Sequence, residues 1–462
     1  MTDFPALPAD FTYGVSTASY QIEGAVGEDG RGTSIWDTFS TEPGRIKNGE
    51  TGAVACDHYH RWPEDVALMK DLGIDSYRFS VAWPRIQPTG SGPANEAGLA
   101  FYDKLVDALL EAGIEPAVTL YHWDLPQPLQ DAGGWQSRET AQRLADYATI
   151  VADRLGDRVS MWMPLNEPVV VTMLGHAIGT HAPGQSLGFD ALPVAHHQLL
   201  GHGLAVQALR AAGATNIGIA SNHTPTWAAS DSAEDREAAA AYDTLANWLF
   251  ADPILRGSYP DGMEGFMPGP VADDLAVIST PLDWFGVNYY QPTLVGVPGA
   301  AGEESPVLEG AALPEGMPFE LRRITGVPTT DFGWAIVPDG LREILTTFHQ
   351  RYGDALPPLY VTESGCSYHD KVVDGRVSDQ ARIDYHDGHL RAIARAIEDG
   401  VDVRGYFTWS LLDNFEWAEG FTERFGLVHV DYDTLTRTPK DSYLWLQQLL
   451  AGTWGQSRRA GE

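Results

Sequence analysis

The stretch MWMPLNEPVV, residues 161–170, is an apolar run that ends on an amide, a carboxylic acid and a proline. Taken alone, Asn166-Glu167-Pro168 is typical of a strand that stops at proline and places a solvated glutamate at its tip. The run becomes informative about the fold because eight short apolar or β-branched runs, this one included, occur along the chain. They comprise residues 11–16, 76–81, 115–121, 160–166, 216–222, 283–290, 358–364 and 403–411.

Segments with helical periodicity separate the eight runs. The clearest are residues 97–114, 138–157, 338–353 and 381–400, and several close with glycine just before the next run, as helix C-termini commonly do. Eight strands that alternate with helices imply parallel pairing through right-handed crossovers. The sequence therefore predicts the α/β class, as a single (β/α)8 TIM barrel with long active-face loops.

Nothing in the sequence resembles a flexible interdomain linker, so we predict one domain over residues 1–462 with a core of about 11–450. Barrels commonly reach such a length as single units. The longest unpatterned piece, about residues 293–332, follows the sixth run. We expect it to form a loop at the rim of the active site, with disorder as the alternative.

The composition excludes several classes of partner. The chain has 63 acidic and 30 basic residues, of which five are lysine, and a formal net charge of -33. Such a surface repels nucleic acid and anionic membranes, so neither is expected as a partner. The acidity and the scarcity of lysine together suggest salt adaptation as a hypothesis.

Three features of the sequence favour the cytoplasm. No charge-free apolar run approaches the roughly 18 to 20 residues that a membrane span needs. The first residues lack a basic segment followed by an apolar one, so no secretory signal is expected. The two cysteines, Cys56 and Cys366, are too few for a disulfide framework or a CxxC metal site.

Polar and aromatic residues follow nearly every predicted strand, where barrels of this type hold their reactive groups. They are Gln21, Arg78, His122, Trp123, Asn166, Glu167, Asn288, Tyr290, Glu363, Trp409, Glu416 and Trp417. The set includes two acids on the fourth and seventh strands, which should face each other across the barrel mouth. Aromatic faces stack on sugar C–H surfaces, and the polar groups bond hydroxyls. Two carboxyl groups with such a lining are what glycosidic bond cleavage requires.

These residues resemble those of family 1 glycoside hydrolases, the β-glucosidase family, in colinear order from about residue 11 to residue 445. The segments that carry the resemblance are FTYGVSTASYQIEGA, CDHYHRWPEDVALMKDLGIDSYRFSVAWPRI, TLYHWDLP, LNEP, GTHAPG, FGVNYY, YVTESG and GYFTWSLLDNFEWAEGFTERFGLVHVDY. The resemblance implies a retaining β-glucosidase that removes terminal non-reducing β-D-glucosyl residues from small glucosides or cello-oligosaccharides, as in cellulose degradation. It implies a covalent glycosyl-enzyme intermediate, no cofactor and no metal, and it leaves the oligomeric state open.

The resemblance also implies a role for each residue at the strand ends. Glu167 is implied to be the acid/base and Glu363 the nucleophile. Arg78, Asn288 and Tyr290 look like the partners of the nucleophile, and Trp334, in DFGWAIVPDG, resembles the aglycone-side tryptophan. Implied sugar contacts come from Gln21, His122, Asn166, Glu416 and Trp417, with Trp409 as the platform beneath the sugar and Trp123 beside His122.

These roles set physical requirements. Glu167 must be protonated when substrate binds, so its pKa should be raised to roughly 6 or above, whereas Glu363 must be ionised. Retention needs the two carboxyl groups only about 5 Å apart. Pro168 should restrict the backbone that aims Glu167.

Three residues depart from the usual family pattern. Ser364 follows the nucleophile where asparagine is more common, and Val169 follows Pro168 where many bacterial members have tryptophan. The valine removes an aromatic surface near the leaving group and so bears on aglycone preference. Cys366 stands where alanine is common, and we interpret it as a small packed residue.

The alternative within the same fold is a 6-phospho-β-glycosidase. Such enzymes resemble this chain but supply serine, lysine and tyrosine for the phosphate. Here Glu416 would repel a phosphate, and Glu423 and Phe425 stand where lysine and tyrosine are expected.

Two further alternatives come from other classes. A metal-dependent barrel enzyme is suggested by His58, His60, His196, His197 and His202, but helix capping by Asp57 and ordinary polar surface account for this pattern more simply. A non-catalytic sugar-binding barrel is opposed by the presence of both acids.

Overall fold

The computed structural model describes residues 5, 7–299, 313 and 316–452. Its strands are β1 (Thr12–Ser16), β2 (Ser76–Ser80), β3 (Glu115–Tyr121), β4 (Met161–Leu165), β5 (Ala220–Asn222), β6 (Thr226–Ala228), β7 (Phe285–Asn288), β8 (Thr293–Gly296), β9 (Glu320–Arg322), β10 (Leu359–Ser364), β11 (Val403–Trp409), β12 (Val428–Val430) and β13 (Arg437–Pro439). Each of the eight predicted runs contains one of these strands. The prediction of eight strands is therefore confirmed.

Those eight strands form one parallel sheet in the order β4-β3-β2-β1-β11-β10-β7-β5. The first and last strands of this order meet only through two isolated parallel bridges, Trp162 with Ile217 and Asn166 with Ala220. We call this junction the seam. The sheet is thus a nearly closed barrel, as the sequence predicts.

The helices are α1 (Ser19–Ile22), α2 (Ile35–Thr41), α3 (His58–Leu72), α4 (Trp83–Ile86), α5 (Glu96–Glu111), α6 (Gln127–Asp131), α7 (Glu139–Leu155), α8 (Pro168–Val170), α9 (Leu192–Ala211), α10 (Ala233–Asp243), α11 (Leu249–Arg256), α12 (Val271–Ile278), α13 (Pro338–Tyr352), α14 (Gln380–Glu398) and α15 (Asp441–Leu450). Two π-helical stretches, Val171–Ile178 and Thr244–Trp248, continue α8 and α10. The four clearest predicted helices correspond to α5, α7, α13 and α14. Within the described part of the chain, no helix combines the length and apolarity needed to cross a bilayer.

The core lies between the barrel and its surrounding helices, where large aromatic side chains are fully buried. Trp83 stacks on Tyr147 of α7 with ring centroids 4.8 Å apart, and Trp162 of β4 is inaccessible to solvent. Burial of such rings supplies much of the hydrophobic free energy of folding.

The segment predicted as an unpatterned loop, residues 293–332, contains regular structure. β8 pairs antiparallel with β9 and parallel with β6, forming a three-stranded sheet that we call the rim sheet. Its inner face buries Val295, Phe319 and Leu321 against α10. The prediction of an unpatterned loop is therefore wrong for residues 293–296 and 320–322, and residues 300–312, 314 and 315 lie outside the described residues.

A buried group of charges ties the end of the chain to the loops that follow β10 and β11. The Lys440 ammonium contacts Asp413 at 2.7 Å and Asp370 at 2.5 Å, and Lys440 is inaccessible to solvent. Arg424 pairs with Asp413 at 2.8 Å, and Arg382 pairs with Asp370 at 2.7 Å. We call these five residues the ion cluster. It fixes the loop that begins at Asp413 and contains Glu416.

Candidate active site

Glu167 and Glu363 lie at the C-terminal end of the barrel and line the same cavity, which measures about 500 Å³. Glu167 comes two residues after β4 ends, and Glu363 is the next-to-last residue of β10. Both side chains are buried. The cavity has the size of a small-molecule site and concentrates its polar groups at this inner end.

Glu363 is held by donors on both carboxylate oxygens. Arg78 Nη1 donates to Oε1 at 2.6 Å, and the Tyr290 hydroxyl donates to Oε2 at 2.7 Å. The guanidinium also donates to the Thr362 carbonyl at 2.9 Å, which fixes it against β10. A buried ion pair and a hydroxyl donor both favour the ionised carboxylate.

No cation among the described residues contacts Glu167. Its Oε1 accepts amide N–H bonds from Asn288 at 2.7 Å and from Asn222 at 3.4 Å. Burial, and secondly the charge of Glu363, raise the pKa of Glu167 to about 8. Oε2 accepts no hydrogen bond from the described residues, so the proton of the neutral acid belongs on Oε2.

Two amides connect the acids through a continuous hydrogen-bond network. Arg78 Nη2 donates to Asn166 Oδ1 at 2.7 Å, and Asn288 Nδ2 donates to the same oxygen at 3.0 Å. The Thr362 hydroxyl donates to Asn288 Oδ1 at 2.6 Å and so orients that amide. Because each amide is oriented by its neighbours, the positions of the two acids are coupled.

This network also fixes the tautomer of His122. With two donors on its oxygen, Asn166 must present Nδ2 to His122 Nε2, at 3.1 Å. Burial and the Arg78 charge hold the pKa of His122 well below its usual value, so the ring is neutral and its proton lies on Nδ1. Among the described residues, His122 Nδ1 has no hydrogen-bond partner. It is therefore free to donate to a ligand.

The remaining residues that the sequence singles out at the inner end gather around Glu416. Gln21 Nε2 donates to Glu416 Oε2 at 3.3 Å, while Gln21 Oε1 has no partner among the described residues. Trp409 stacks on His122 with centroids 5.7 Å apart. The ring of Trp417 packs against that of Trp123, with ring centroids 4.5 Å apart. The Trp123 indole N–H is already bonded to the Asn166 carbonyl at 2.9 Å, so only the Trp123 ring is available to a ligand.

Trp334 belongs to an aromatic wall toward the outside of the cavity. Its ring lies 4.7 Å from Phe332, 5.2 Å from Tyr290 and 5.8 Å from Phe425. Trp334 is only half-buried, so part of its surface faces the cavity. The structure thus brings all thirteen predicted site residues together, either in the cavity lining or one contact behind it.

Three residues of the site have left-handed backbone conformations, with φ of 46° at Glu167, 79° at Trp123 and 44° at Trp417. Residues other than glycine adopt this region rarely and at an energetic cost. A residue before proline is expected to be extended. The sequence therefore predicts a restricted backbone at Glu167 but not its left-handed form.

Sequence reasoning overlooked Asn222, Phe332 and Arg323, which all line the cavity. Asn222 is the last residue of β5, so the rule that singled out the other strand ends would have found it. Phe332 and Arg323 lie within the segment that was predicted to be unpatterned. Neither residue lies at the end of a predicted strand, so the strand-end rule could not identify them.

The histidines that suggested a metal site are not grouped as ligands. His196, His197 and His202 are buried on α9, and His58 is buried at the start of α3, so the prediction of ordinary polar surface is wrong for these four. Asp57 does not cap α3; its carboxylate contacts the exposed His60 ring instead. Over residues 5, 7–299, 313 and 316–452, no three His, Cys, Asp or Glu side chains are arranged to hold a metal.

Cys366 is fully buried two residues after β10 ends, and burial raises the pKa of its thiol to about 12. Cys56 is also buried, and neither forms a disulfide. A neutral thiol without solvent access behaves as a small packed side chain, as interpreted from the sequence.

Comparison with known proteins shows similarity over almost the whole chain. The family model described as Glycosyl hydrolase family 1 matches residues 4–453. Beta-glucosidase A of Acetivibrio thermocellus is 45% identical, over 96% of this chain and 98% of that protein. The psychrophilic beta-glucosidase BglU of Micrococcus antarcticus superposes with a TM-score of 0.92 at 46% identity, covering 97% of this chain and 98% of that one. A family 1 β-glucosidase of Thermotoga maritima in complex with isofagomine lactam gives a TM-score of 0.90 at 43% identity, covering 97% and 99%.

Proposed function

The chain belongs to glycosyl hydrolase family 1, and we propose on this basis that it is a retaining β-glucosidase. Its substrates are small β-glucosides or cello-oligosaccharides, from which it removes the terminal non-reducing β-D-glucosyl residue. Several relatives at about this similarity are named as β-glucosidases or as 1,4-β-D-glucan glucohydrolases. A role in cellulose degradation follows from such substrates.

In the first step, Glu363 attacks the anomeric carbon and the bond to the leaving oxygen breaks. Glu167 transfers its proton to that oxygen, so the aglycone departs as a neutral alcohol. Arg78 and Tyr290 keep the nucleophile ionised and aimed. A proton held on Oε2 of Glu167, the oxygen without an amide donor, supports this assignment.

In the second step, Glu167 works as the base that activates water. Burial continues to raise its pKa, but the second cause, the charge of Glu363, disappears when that carboxylate becomes an ester. The pKa of Glu167 therefore falls in the intermediate, and its carboxylate can remove a proton from water. That water attacks the anomeric carbon as the ester bond to Glu363 breaks, which releases the Glu363 carboxylate and β-glucose. The product retains the β configuration because two displacements occur.

We assign the other residues to the sugar. Gln21, His122, Asn166, Glu416 and Trp417 bind its hydroxyls, and Asn288 orients Asn166. Trp409 and Trp123 supply ring surfaces, and Trp334 contacts the aglycone. Unpaired polar atoms on Gln21 and His122 support the first group, because such buried atoms favour a ligand that satisfies them.

The observation that carries the proposal is the contrast between two acids in one cavity. Glu363 is paired with Arg78, while Glu167 has no contacting cation and its pKa is raised to about 8. The phosphate alternative is not favoured, because Glu416 lines the cavity and Phe425 packs against Trp334. We propose a cytoplasmic location from the composition, and activity without a metal.

Substitution at Glu167 tests the roles of the acids. Glu167→Gln should lower kcat/KM on cellobiose by at least about a thousandfold, because the alcohol leaving group needs a proton. A dinitrophenyl glucoside, whose leaving group needs none, should still form the intermediate, and azide should then speed turnover by replacing the activated water. Glu139→Gln makes the same substitution at an exposed position of α7, outside the cavity lining, and serves as the control.

NMR of the first product tests the stereochemistry. The unmodified enzyme should release β-glucose before mutarotation. If the α-anomer appears first, or if Glu167→Gln slows both substrates equally, the proposed mechanism is wrong.

A further inference from the structure

The active-site cavity continues from the two acids outward to the rim sheet. Thr293 and Leu294 of β8 and Leu321 of β9 line it, and Arg323 and Ile324 follow β9 along the same wall. A glucosyl unit seated at Glu167 and Glu363 leaves its aglycone pointing to this outer part. The rim sheet therefore supplies contacts to the aglycone rather than to the sugar.

Most charges along the cavity have a partner. Glu363 pairs with Arg78 at 2.6 Å, and Glu419 pairs with Lys47 at 2.9 Å. Arg322 donates to the Val297 carbonyl at 2.8 Å and lies 3.5 Å from the Glu320 carboxylate. These groups are committed to the protein itself.

Arg323 differs from them. Within residues 5, 7–299, 313 and 316–452, only Arg236 and Arg323 among the arginines lack a carboxylate at salt-bridge distance, and Arg236 donates to the Asp231 carbonyl. Arg323 makes no such bond, and its side chain is exposed at the cavity wall. Arg322 and Arg323 are the two arginines that line the cavity, and among the described residues only Arg323 of these two has no carboxylate at salt-bridge distance.

The aromatic wall lies along the same cavity. Trp334 and Phe332 offer ring faces to an aryl group, and their rings are 4.7 Å apart. A guanidinium in the same cavity as these rings suits a planar group that carries a carboxylate, because it can bind both carboxylate oxygens at once. A simple sugar aglycone would use the rings but not the charge.

We propose that Arg323 is a specificity-determining residue that binds a carboxylate on the aglycone, so that carboxylated aryl β-glucosides are preferred substrates. The proposal deepens the proposed function and rests on it. The overall charge of -33 repels anionic substrates at long range. Arg323 therefore favours carboxylated substrates only at short range, once the aglycone has entered the cavity. Its contact is the same in the ground state and the transition state and should appear mainly in KM.

The test compares 4-carboxyphenyl β-D-glucoside with 4-carbamoylphenyl β-D-glucoside at fixed pH and salt. The measured quantity is the ratio of kcat/KM for the acid to that for the amide. In Arg323→Gln this ratio should fall by roughly threefold to tenfold, mostly through KM, and Arg323→Glu should lower it further. The difference in leaving group cancels when variants are compared with the unmodified enzyme.

Arg236→Gln is the matched control, since it removes the same charge from an exposed position of α10 that does not line the cavity. Its ratio should equal that of the unmodified enzyme. An unchanged ratio in both Arg323 variants, or an equal fall in Arg236→Gln, overturns the proposal. Failure of the unmodified enzyme to hydrolyse either glucoside would instead contradict the proposed function.

Discussion

Glu167 and Glu363 carry the same functional group, and their chemistry differs because of what their oxygens contact. Glu363 has the Arg78 guanidinium at 2.6 Å, whereas the buried Glu167 carboxyl group accepts hydrogen bonds from two amides. Low dielectric without a counter-charge favours the neutral acid, while an ion pair favours the anion. The different surroundings thus suit one glutamate to the proposed role of proton donor and the other to that of nucleophile.

The raised pKa of Glu167 predicts the alkaline side of the pH profile. The acid is protonated below its pKa of about 8, so kcat/KM for an alkyl glucoside should fall as pH rises through about 8. Glu167→Gln should lack this limb when assayed with a dinitrophenyl glucoside. If kcat/KM of the unmodified enzyme instead began to fall with rising pH near pH 5, the assignment of the alkaline limb to Glu167 would be wrong.

Removal of the Tyr290 hydroxyl tests the support of the nucleophile. Tyr290→Phe deletes the 2.7 Å bond to Glu363 Oε2 and should lower kcat/KM for a nitrophenyl glucoside by roughly tenfold to a hundredfold. Tyr385→Phe is the control, because the Tyr385 hydroxyl makes only long contacts of 3.3 and 3.5 Å. Equal losses in both variants would show a packing effect instead.

At this scale the sequence predicts which residues meet but not how they are oriented. Strand ends were enough to gather Asn166 and Asn288, because parallel strands end on one face, whereas Arg78 lies in the middle of β2. The unpaired Oε2 of Glu167 and the tautomer of His122 depend on amide orientations across three strands. No local pattern encodes them.

At the scale of elements, the loop after β11 depends on the ion cluster. Asp413, Asp370 and Lys440 are all buried, and removal of one charge leaves the others uncompensated. The position of Glu416 in the cavity thus depends on a lysine just before α15.

Lys440→Met should destabilise the protein by about 3 to 5 kcal/mol, measured from the urea unfolding midpoint and slope. Lys47→Met breaks the exposed pair with Glu419 and should cost about 1 kcal/mol or less. A loss for Lys440→Met no larger than that of Lys47→Met would show that the ion cluster contributes little.

The elements themselves were predictable where periodicity is clear. The eight barrel strands lie within short apolar or β-branched runs, and α5, α7, α13 and α14 each bury one face. α9 gave no clear signal because it is buried almost all round. β8 and β9 have only four and three residues, too few for alternation to stand out.

At the scale of the whole molecule, the dominant feature is the formal charge of -33. Like charges on one surface repel one another and destabilise the compact state. Salt screens this repulsion over about 10 Å at 0.1 M and over shorter distances above it. The acidity therefore makes stability depend on ionic strength.

We expect Tm to rise by roughly 2 to 5 °C between low salt and about 1 M KCl. The same experiment near pH 5, where fewer carboxylates are ionised, should give a smaller rise. A Tm that is flat or falls with salt at neutral pH would exclude salt adaptation.

The seam affects how the protein loses activity on heating. Seven strand junctions are hydrogen-bonded ladders, two of them with register shifts, whereas β4 meets β5 through isolated bridges. The Glu167 amide donates across that gap to the Ala220 carbonyl at 2.9 Å. Local breathing needs least work where ladder bonds are sparse. Glu167, the proposed proton donor, therefore lies beside the junction of the sheet with the fewest ladder bonds, and we expect heating to abolish activity before the barrel unfolds.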